Sequence, residues 1–345
     1  MDCGENVVPK VDYVGQRLLS RRGEGSEHKN YQQIIKEIKN SNAPIVIGPF
    51  LMELGFELLY WIPFVTKLLA EIETKEKPIY VLGRGGSQNW YPIQDKVCIE
   101  VFDFWSESEF NSSASMRYKS FGNQKQMAPH FSEEILLENF SQLYGLKSFQ
   151  VLHPSLMVLL LEFYWDSRYP VKWLTHFCDF EKVQKEFVRS KNVKQFEVGF
   201  KFYSRESLES TNGFACCVRA FKSKFKPGKS LHFLPQLNID EHTPFVEFID
   251  SSDVICEPGI RNNLFVQSIE LAKCKAFMGT YGGFAYLAQY LGVPTAAWEE
   301  NPRLNRSAHY VTCQEFIKPL SGSSVTLLSS HNSHFLFHQT DNLFS

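Results

Sequence analysis

Several features are absent from this sequence, and each absence removes a class of protein. No uninterrupted apolar run approaches the roughly 18 residues of a membrane-crossing helix. The longest candidates are residues 58–72, broken by Pro63 and Lys67, and residues 156–161, and both read as buried helices. Charge of neither sign dominates: 36 Lys and Arg face 38 Asp and Glu, a net charge of -2. A general nucleic-acid binder needs a basic surface, so that class is disfavoured. The eight cysteines include no CxxC pair, and Cys216 and Cys217 are simply adjacent, which leaves no zinc signature. The opening MDCGENVVPK lacks the apolar stretch of a signal peptide. The expectation is therefore a cytoplasmic protein with reduced thiols, with peripheral membrane contact left open. A GxGxxG dinucleotide fingerprint is missing, which disfavours NAD, and no DxD-like acidic pair is present to hold a metal.

What remains is ordinary globular composition, 43% hydrophobic and 21% charged, with an aromatic excess of 14% that includes thirty Phe. Such aromatics supply large cores and also suit a cleft that stacks sugar or base rings. A chain of 345 residues predicts two domains. Residues 1–42 are polar and are expected to be a flexible or helical segment, with RRGEGSEHKN as the flexible stretch and a short helix over 31–38. From Pro44 the pattern alternates: strands over 45–47, 78–82, 97–104 and 149–152, helices over 53–73, 133–144 and 155–165, and a polar loop through about Ser120. Residues 181–196 turn charged and lose apolar periodicity, placing a boundary near 190. The alternation then restarts, with strands over 196–203, 230–234, 254–256, 276–278 and 295–298 and helices over 213–225, 262–273 and 284–291. Strands and helices alternating at these lengths imply parallel sheets covered on both faces. The expected organisation is an N-terminal Rossmann-like domain over 43–190 and a C-terminal one over 191–345.

The sharpest local feature is GTYGG at 279–283. A short apolar strand runs into it and a helix starts at once, which is where a phosphate rests in an open parallel sheet. Gly279, Thr280, Tyr281, Gly282 and Gly283 are thus candidate nucleotide contacts. A tight strand-to-helix connection would need the same glycines. Its counterpart in the first domain is Gly48 through Pro63, which carries Glu53 and Glu57. They are four residues apart, so they are expected on one helical face near an N-terminus, where a carboxylate is favoured in its charged form. Either could act as a general base if partly desolvated, or be a solvated first-turn acid. Glu57 lies among Phe56, Leu58, Leu59 and Trp61, so full exposure is not expected. His153 follows a strand end and is a further candidate, catalytic or structural. The loop at 83–87 carries Arg84 and either lines the cleft or only turns the chain. Arg205 could pair a diphosphate or a nearby Glu, and Glu257 could bind ribose hydroxyls. Arg219, Lys222 and Lys226 form a basic row that reads first as a solvated face.

Two segments resemble the heptosyltransferase-like group of GT-B glycosyltransferases. One is Gly55-Phe-Glu-Leu-Leu-Tyr-Trp-Ile-Pro63, in which an acid precedes a proline by six positions. The other runs from Gly279 through Gly292-Val-Pro-Thr295 to Pro302. The resemblance implies two Rossmann-like domains facing across a cleft. It also implies transfer of a sugar from a nucleotide-sugar donor to a hydroxyl acceptor on a glycan or lipid, without a cofactor or metal and with inversion. It assigns the catalytic base to Glu57. The family's Asp-Thr-Gly run and His fall at Tyr281, Gly282, Gly283 and Tyr286, so it implies the reaction class and not the donor. Two other readings stand beside it: a nucleotide-sugar epimerase or phosphorylase on the same fold, and a non-catalytic α/β binding protein.

Overall fold

The computed structural model describes residues 9–72, 77–122, 126–181, 195–204, 228–234, 253–299 and 304–328, with 219, 243, 244 and 249. Its first unit is a five-stranded sheet in the order β1-β5-β2-β3-β4. The strands are β1 (Lys10–Tyr13), β2 (Ile45–Ile47), β3 (Ile79–Gly83), β4 (Val97–Glu100) and β5 (Ser148–Leu152), and every pairing is parallel. Ile45, Val46 and Ile47 are all fully buried. That is the expected state of a central parallel strand, whose two faces are both covered by helices.

Those helices are α1 (Glu27–Lys39), α2 (Leu54–Phe56), α3 (Ile62–Ile72), α4 (Glu107–Phe121), α5 (Phe131–Tyr144) and α6 (Ser155–Trp165). A wider π-type turn over Glu57–Trp61 joins α2 to α3, so the expected long helix is present with a local expansion. Three expectations are corrected. The N-terminal segment supplies an edge strand, with Lys10 beside Ser148, and its helix begins four residues before the expected start. Only Tyr13 of that strand is buried, so its sequence lacks an apolar run. The polar loop before Ser120 is instead α4, started by a capping box between Ser106 and Glu109 and ended at Gly122 with φ +71°. Its buried stripe is Phe110, Ser113 and Arg117, too polar to register as amphipathic. The strand expected over 97–104 stops at Glu100 and gives way to a 3-10 turn.

The second unit is a six-stranded sheet in the order β10-β8-β6-β11-β12-β13. Its strands are β6 (Phe196–Lys201), β8 (Ser230–Phe233), β10 (Val254–Cys256), β11 (Cys274–Thr280), β12 (Thr295–Trp298) and β13 (Val325–Leu328). A separate antiparallel pair joins β7 (Tyr203–Ser204) to β9 (Thr243–Pro244). Apart from that pair the spatial order is third, second, first, fourth, fifth, sixth, the doubly wound Rossmann order. Its helices of three or more described residues are α7 (Asn263–Ala272), α8 (Gly283–Tyr290), α9 (Leu304–Thr312) and α10 (Lys318–Ser321). Of the helix expected over 213–225 only Arg219 is described, in helical conformation, and most of the boundary segment lies outside the described residues. The fold class is therefore as expected: two Rossmann-like α/β units.

The units meet with the carboxyl ends of their strands toward each other. The Gly85 carbonyl of the first unit accepts from the Leu264 and Phe265 amides at the start of α7, at 2.8 and 3.0 Å. Trp90 donates to Ser268 at 3.1 Å, and Tyr290 donates to the Leu58 carbonyl at 3.1 Å. Helix α9 returns to the first unit, where Tyr60 shares a 2.6 Å hydrogen bond with His309 and Tyr164 a 2.8 Å one with Thr312. One apolar cluster runs through both units, including Leu58, Leu59, Leu287 and Tyr290.

Gly86 lies at this junction with φ +84°, and a Cβ there would stand 2.5 Å from the Phe265 Cβ. Gly122 has a similar φ of +71° but open space around it. Gly86→Ala should therefore lose about 2–4 kcal/mol in urea unfolding, against about 1 kcal/mol for Gly122→Ala. Equal losses would show that the junction does not constrain the loop.

Candidate functional site

Each sheet has one point where strand order reverses, and ligands of open parallel sheets collect beyond such points. In the first unit it lies between β2 and β5, flanked by the turn after Gly48 and by His153. In the second it lies between β6 and β11, flanked by Lys201 and the GTYGG segment. The start of α2 abuts the start of α8: a Cβ on Gly283 would come within 2.6 Å of the Leu54 Cβ and 2.9 Å of the Gly55 nitrogen. A Cβ on Gly55 would in turn come within 2.9 Å of the Tyr286 ring.

Glu57 follows directly and is fully buried. Its Oε1 accepts from the Ser87 hydroxyl at 2.9 Å and the Tyr91 hydroxyl at 3.0 Å. Its Oε2 is buried with no hydrogen-bond partner among the described residues. Burial pushes the carboxyl up to about 7, against the opposing pull of the Arg84 guanidinium and the two hydroxyls, with Glu100 adding to the rise. Arg84 is buried too, and donates from Nη2 to the Met52 carbonyl. The loop carrying Arg84 and Ser87 is held by Glu100, whose two oxygens accept from the Gly85 and Gly86 amides, each at 2.9 Å. Glu53, expected to share a face with Glu57, sits at the cap position before α2 and is exposed. The two acids therefore occupy opposite environments.

His153 belongs to a different network. Its Nδ1 accepts from the Ser155 amide at 3.2 Å, so the ring proton resides on Nε2, which faces Glu133 Oε2 at 2.8 Å. Burial alone would raise the Glu133 carboxyl, but His153 and then Arg117 and Gln126 hold it below the usual carboxylate range. Gln126 completes the arrangement, donating to the Pro49 carbonyl at 2.9 Å and accepting from the Leu51 amide at 2.8 Å. These contacts fix the turn that leads into α2. Glu57 bonds to Ser87 and Tyr91, His153 to Glu133 and Ser155, and no hydrogen bond joins the two sets among the described residues.

In the second unit, Gly279 and Thr280 are the last two residues of β11 and not part of the turn. Gly279 sits where any Cβ would strike the Lys201 carbonyl of the neighbouring strand. Thr280 Oγ1 accepts from the Tyr203 amide and donates to the Tyr203 carbonyl, both at 3.0 Å. Gly282 faces the Tyr203 hydroxyl. Tyr281 and Tyr286 are buried, their rings edge to face at 5.4 Å. Each of the three glycines thus has a packing neighbour within the chain. Glu257 is exposed in the loop after β10, and Arg219 is exposed. Arg205, Lys222 and Lys226 lie outside the described residues. Arg261 reaches across the units to Asp103 at 2.8 Å, with both side chains largely exposed.

Sequence reasoning missed Tyr91, Glu100 and Lys201. Tyr91 and Glu100 act from 34 and 14 or 15 residues away along the chain, and no local pattern announces such partners. Lys201 had a signal, as a lysine closing a strand of alternating Phe196, Val198 and Phe200.

No family model matches the chain, and no curated protein matches it. Some solved structures are similar in course. One is a glycosyl transferase family 9 protein from Veillonella parvula DSM 2008, at 13% identity and TM-score 0.43, covering 88% of this chain and 92% of that one. Another is the E. coli ADP-heptose lps heptosyltransferase II, at 13% identity and TM-score 0.46, covering 88% and 98%. A third is an E. coli heptosyltransferase with ADP, at 9% identity and TM-score 0.42, covering 86% and 98%.

The Glu57 carboxyl has a consequence for stability. Its ordinary value is 4.5 and its folded value about 7, so between them the folded state keeps a proton the unfolded state has released. This component is fully present below about pH 4.5 and is lost as pH rises to about 7, a fall on the order of 3 kcal/mol. Glu57→Gln removes it. The stability of wild type minus that of the variant, from urea titrations, should be lower at pH 8 than at pH 5 by that order. A constant difference would place Glu57 in contact with water.

Proposed function

We propose that this protein is a glycosyltransferase that moves a sugar from a nucleotide-sugar donor to the hydroxyl of a glycan or lipid-linked acceptor, with inversion and without a metal. The observation that carries this reading is the Glu57 carboxyl: one oxygen pinned by Ser87 and Tyr91, the other buried and without a partner among the described residues, at the contact between two Rossmann-like units. A base poised near neutrality suits proton abstraction from a hydroxyl. In the proposed reaction Oε2 takes the proton of the acceptor hydroxyl as that oxygen bonds to the anomeric carbon. The bond to the nucleoside diphosphate breaks on the opposite face, which inverts the centre. The backbone amides at the start of α8 then stabilise the departing diphosphate. Glu57 is fully buried, so the acceptor reaches it only when its surroundings part, and the proposed place of parting is the Leu54–Gly283 contact. The proposed setting is cytoplasmic. Among the described residues no helix is long and apolar enough to cross a membrane.

The same contact favours a second reading, a non-catalytic α/β protein, because glycines 279, 282 and 283 each meet the chain's own atoms. A thermal-shift screen against UDP-, GDP-, ADP- and CMP-linked sugars separates the two. A donor at 100 times its dissociation constant stabilises by about 2.7 kcal/mol, whereas silence from every donor would leave the second reading. With the donor identified, Glu57→Gln should lower turnover by about 100- to 10,000-fold while keeping the donor-induced shift. Undiminished turnover would remove Glu57 from the base role.

A further inference from the structure

Lys201 closes β6 and pairs in register with Gly279 of β11, so it stands at the reversal point of the second sheet. It is 8% exposed. Its Nζ donates to Gln267 Oε1 at 2.6 Å and lies 3.7 Å from the centre of the Phe284 ring, the second residue of α8. Gln267 in turn donates to the Leu234 carbonyl at 3.1 Å and to Asn263 Oδ1. An ammonium has three N–H donors, and Gln267 supplies the one acceptor it has among the described residues. No carboxylate pairs with it among those residues. The groups around it are the neutral amides of α7, the Phe284 ring of α8 and, at the end of β10, the Cys256 thiol. Nearby on β8, His232 is engaged with Asp253. Burial brings the amine down to about 7, with Cys256 as the opposing influence. A lysine kept here at that cost, one side chain away from the first turn of α8, suits a ligand that brings its own negative charge.

We propose that Lys201 is an anion-receiving residue of the second unit: when a diphosphate group docks at the start of α8, the Lys201 amine takes a proton from solvent and binds it as an ammonium. This deepens the glycosyl-transfer reading and rests on it for the nature of the diphosphate. Binding is then coupled to proton uptake above neutral pH, the proton coming from the buffer.

The test is titration calorimetry at pH 8 in two buffers of different ionisation enthalpy, with the nucleotide-sugar panel and, separately, inorganic pyrophosphate, on wild type and Lys201→Met. At pH 8 an amine titrating near 7 is about nine-tenths neutral, so roughly one proton is taken up per ligand bound. Lys201→Met should lose that uptake and bind roughly 10- to 100-fold more weakly. Binding without uptake, or an unchanged variant, overturns the proposal. Pyrophosphate binding with Lys201-dependent uptake, but no binding of any nucleotide sugar, would uphold it while overturning the glycosyl-transfer reading. Failure of both ligands to bind wild type overturns it as well. Should the variant not fold, the wild type alone decides: its dissociation constant must rise by a factor approaching ten from pH 8 to pH 9, and a flat profile is fatal.

Discussion

The contact of Gly283 with Leu54 and Gly55 is the constraint around which the rest of the molecule is arranged. Two helix starts, each at the carboxyl edge of its own sheet, meet with no side chain on either glycine to separate them. That approach brings Tyr286 onto Gly55, and Glu57, two residues further along the chain, is fully buried. Burial then does the electrostatic work, because a carboxyl cut off from water holds its proton up to near-neutral pH.

Three buried acids of the first unit show how much the partner set matters. Glu133 is ringed by His153, Arg117 and Gln126 and is held below the ordinary carboxylate range. Glu100 accepts from the Gly85, Gly86 and Phe102 amides, yet burial still raises it. Glu57 has two hydroxyl donors and a guanidinium nearby and is raised further, with one oxygen left bare. The first two have the partners of groups that hold loops in place. The third has an oxygen without a partner among the described residues and a value near neutrality.

Most of the framework was legible because apolar runs ended at strong punctuation. Residues 155–165 follow Pro154, and residues 295–298 follow Pro294; both elements were delimited to the residue. Elements that bury little apolar surface were not legible. The β1 edge strand shows one buried residue, and α4 buries a serine and an arginine beside a single Phe. At the candidate site the apolar neighbours of Glu57 already implied seclusion. Its hydroxyl partners, and the loop that delivers them, come from a strand end some thirty residues on, where only tertiary packing decides the meeting. The GTYGG segment was legible as a strand running into a helix. That its glycines make room for Lys201, Tyr203 and Leu54 depends on neighbours the local sequence does not encode.

The return of α9 to the first unit limits how the molecule can move. Tyr164 donates to the Ala308 carbonyl at 3.0 Å and shares a bond with Thr312, tying α6 to α9. The chain thus passes from the first unit to the second and then fastens itself back. A separation of Leu54 from Gly283 that preserves this fastening is a swing about the α6–α9 seam, like a hinged lid, and not a parting of two free bodies. In such a swing, travel would be largest at the rim farthest from the seam and smallest beside it, so the opening would be wedge-shaped, with one fixed side to its mouth.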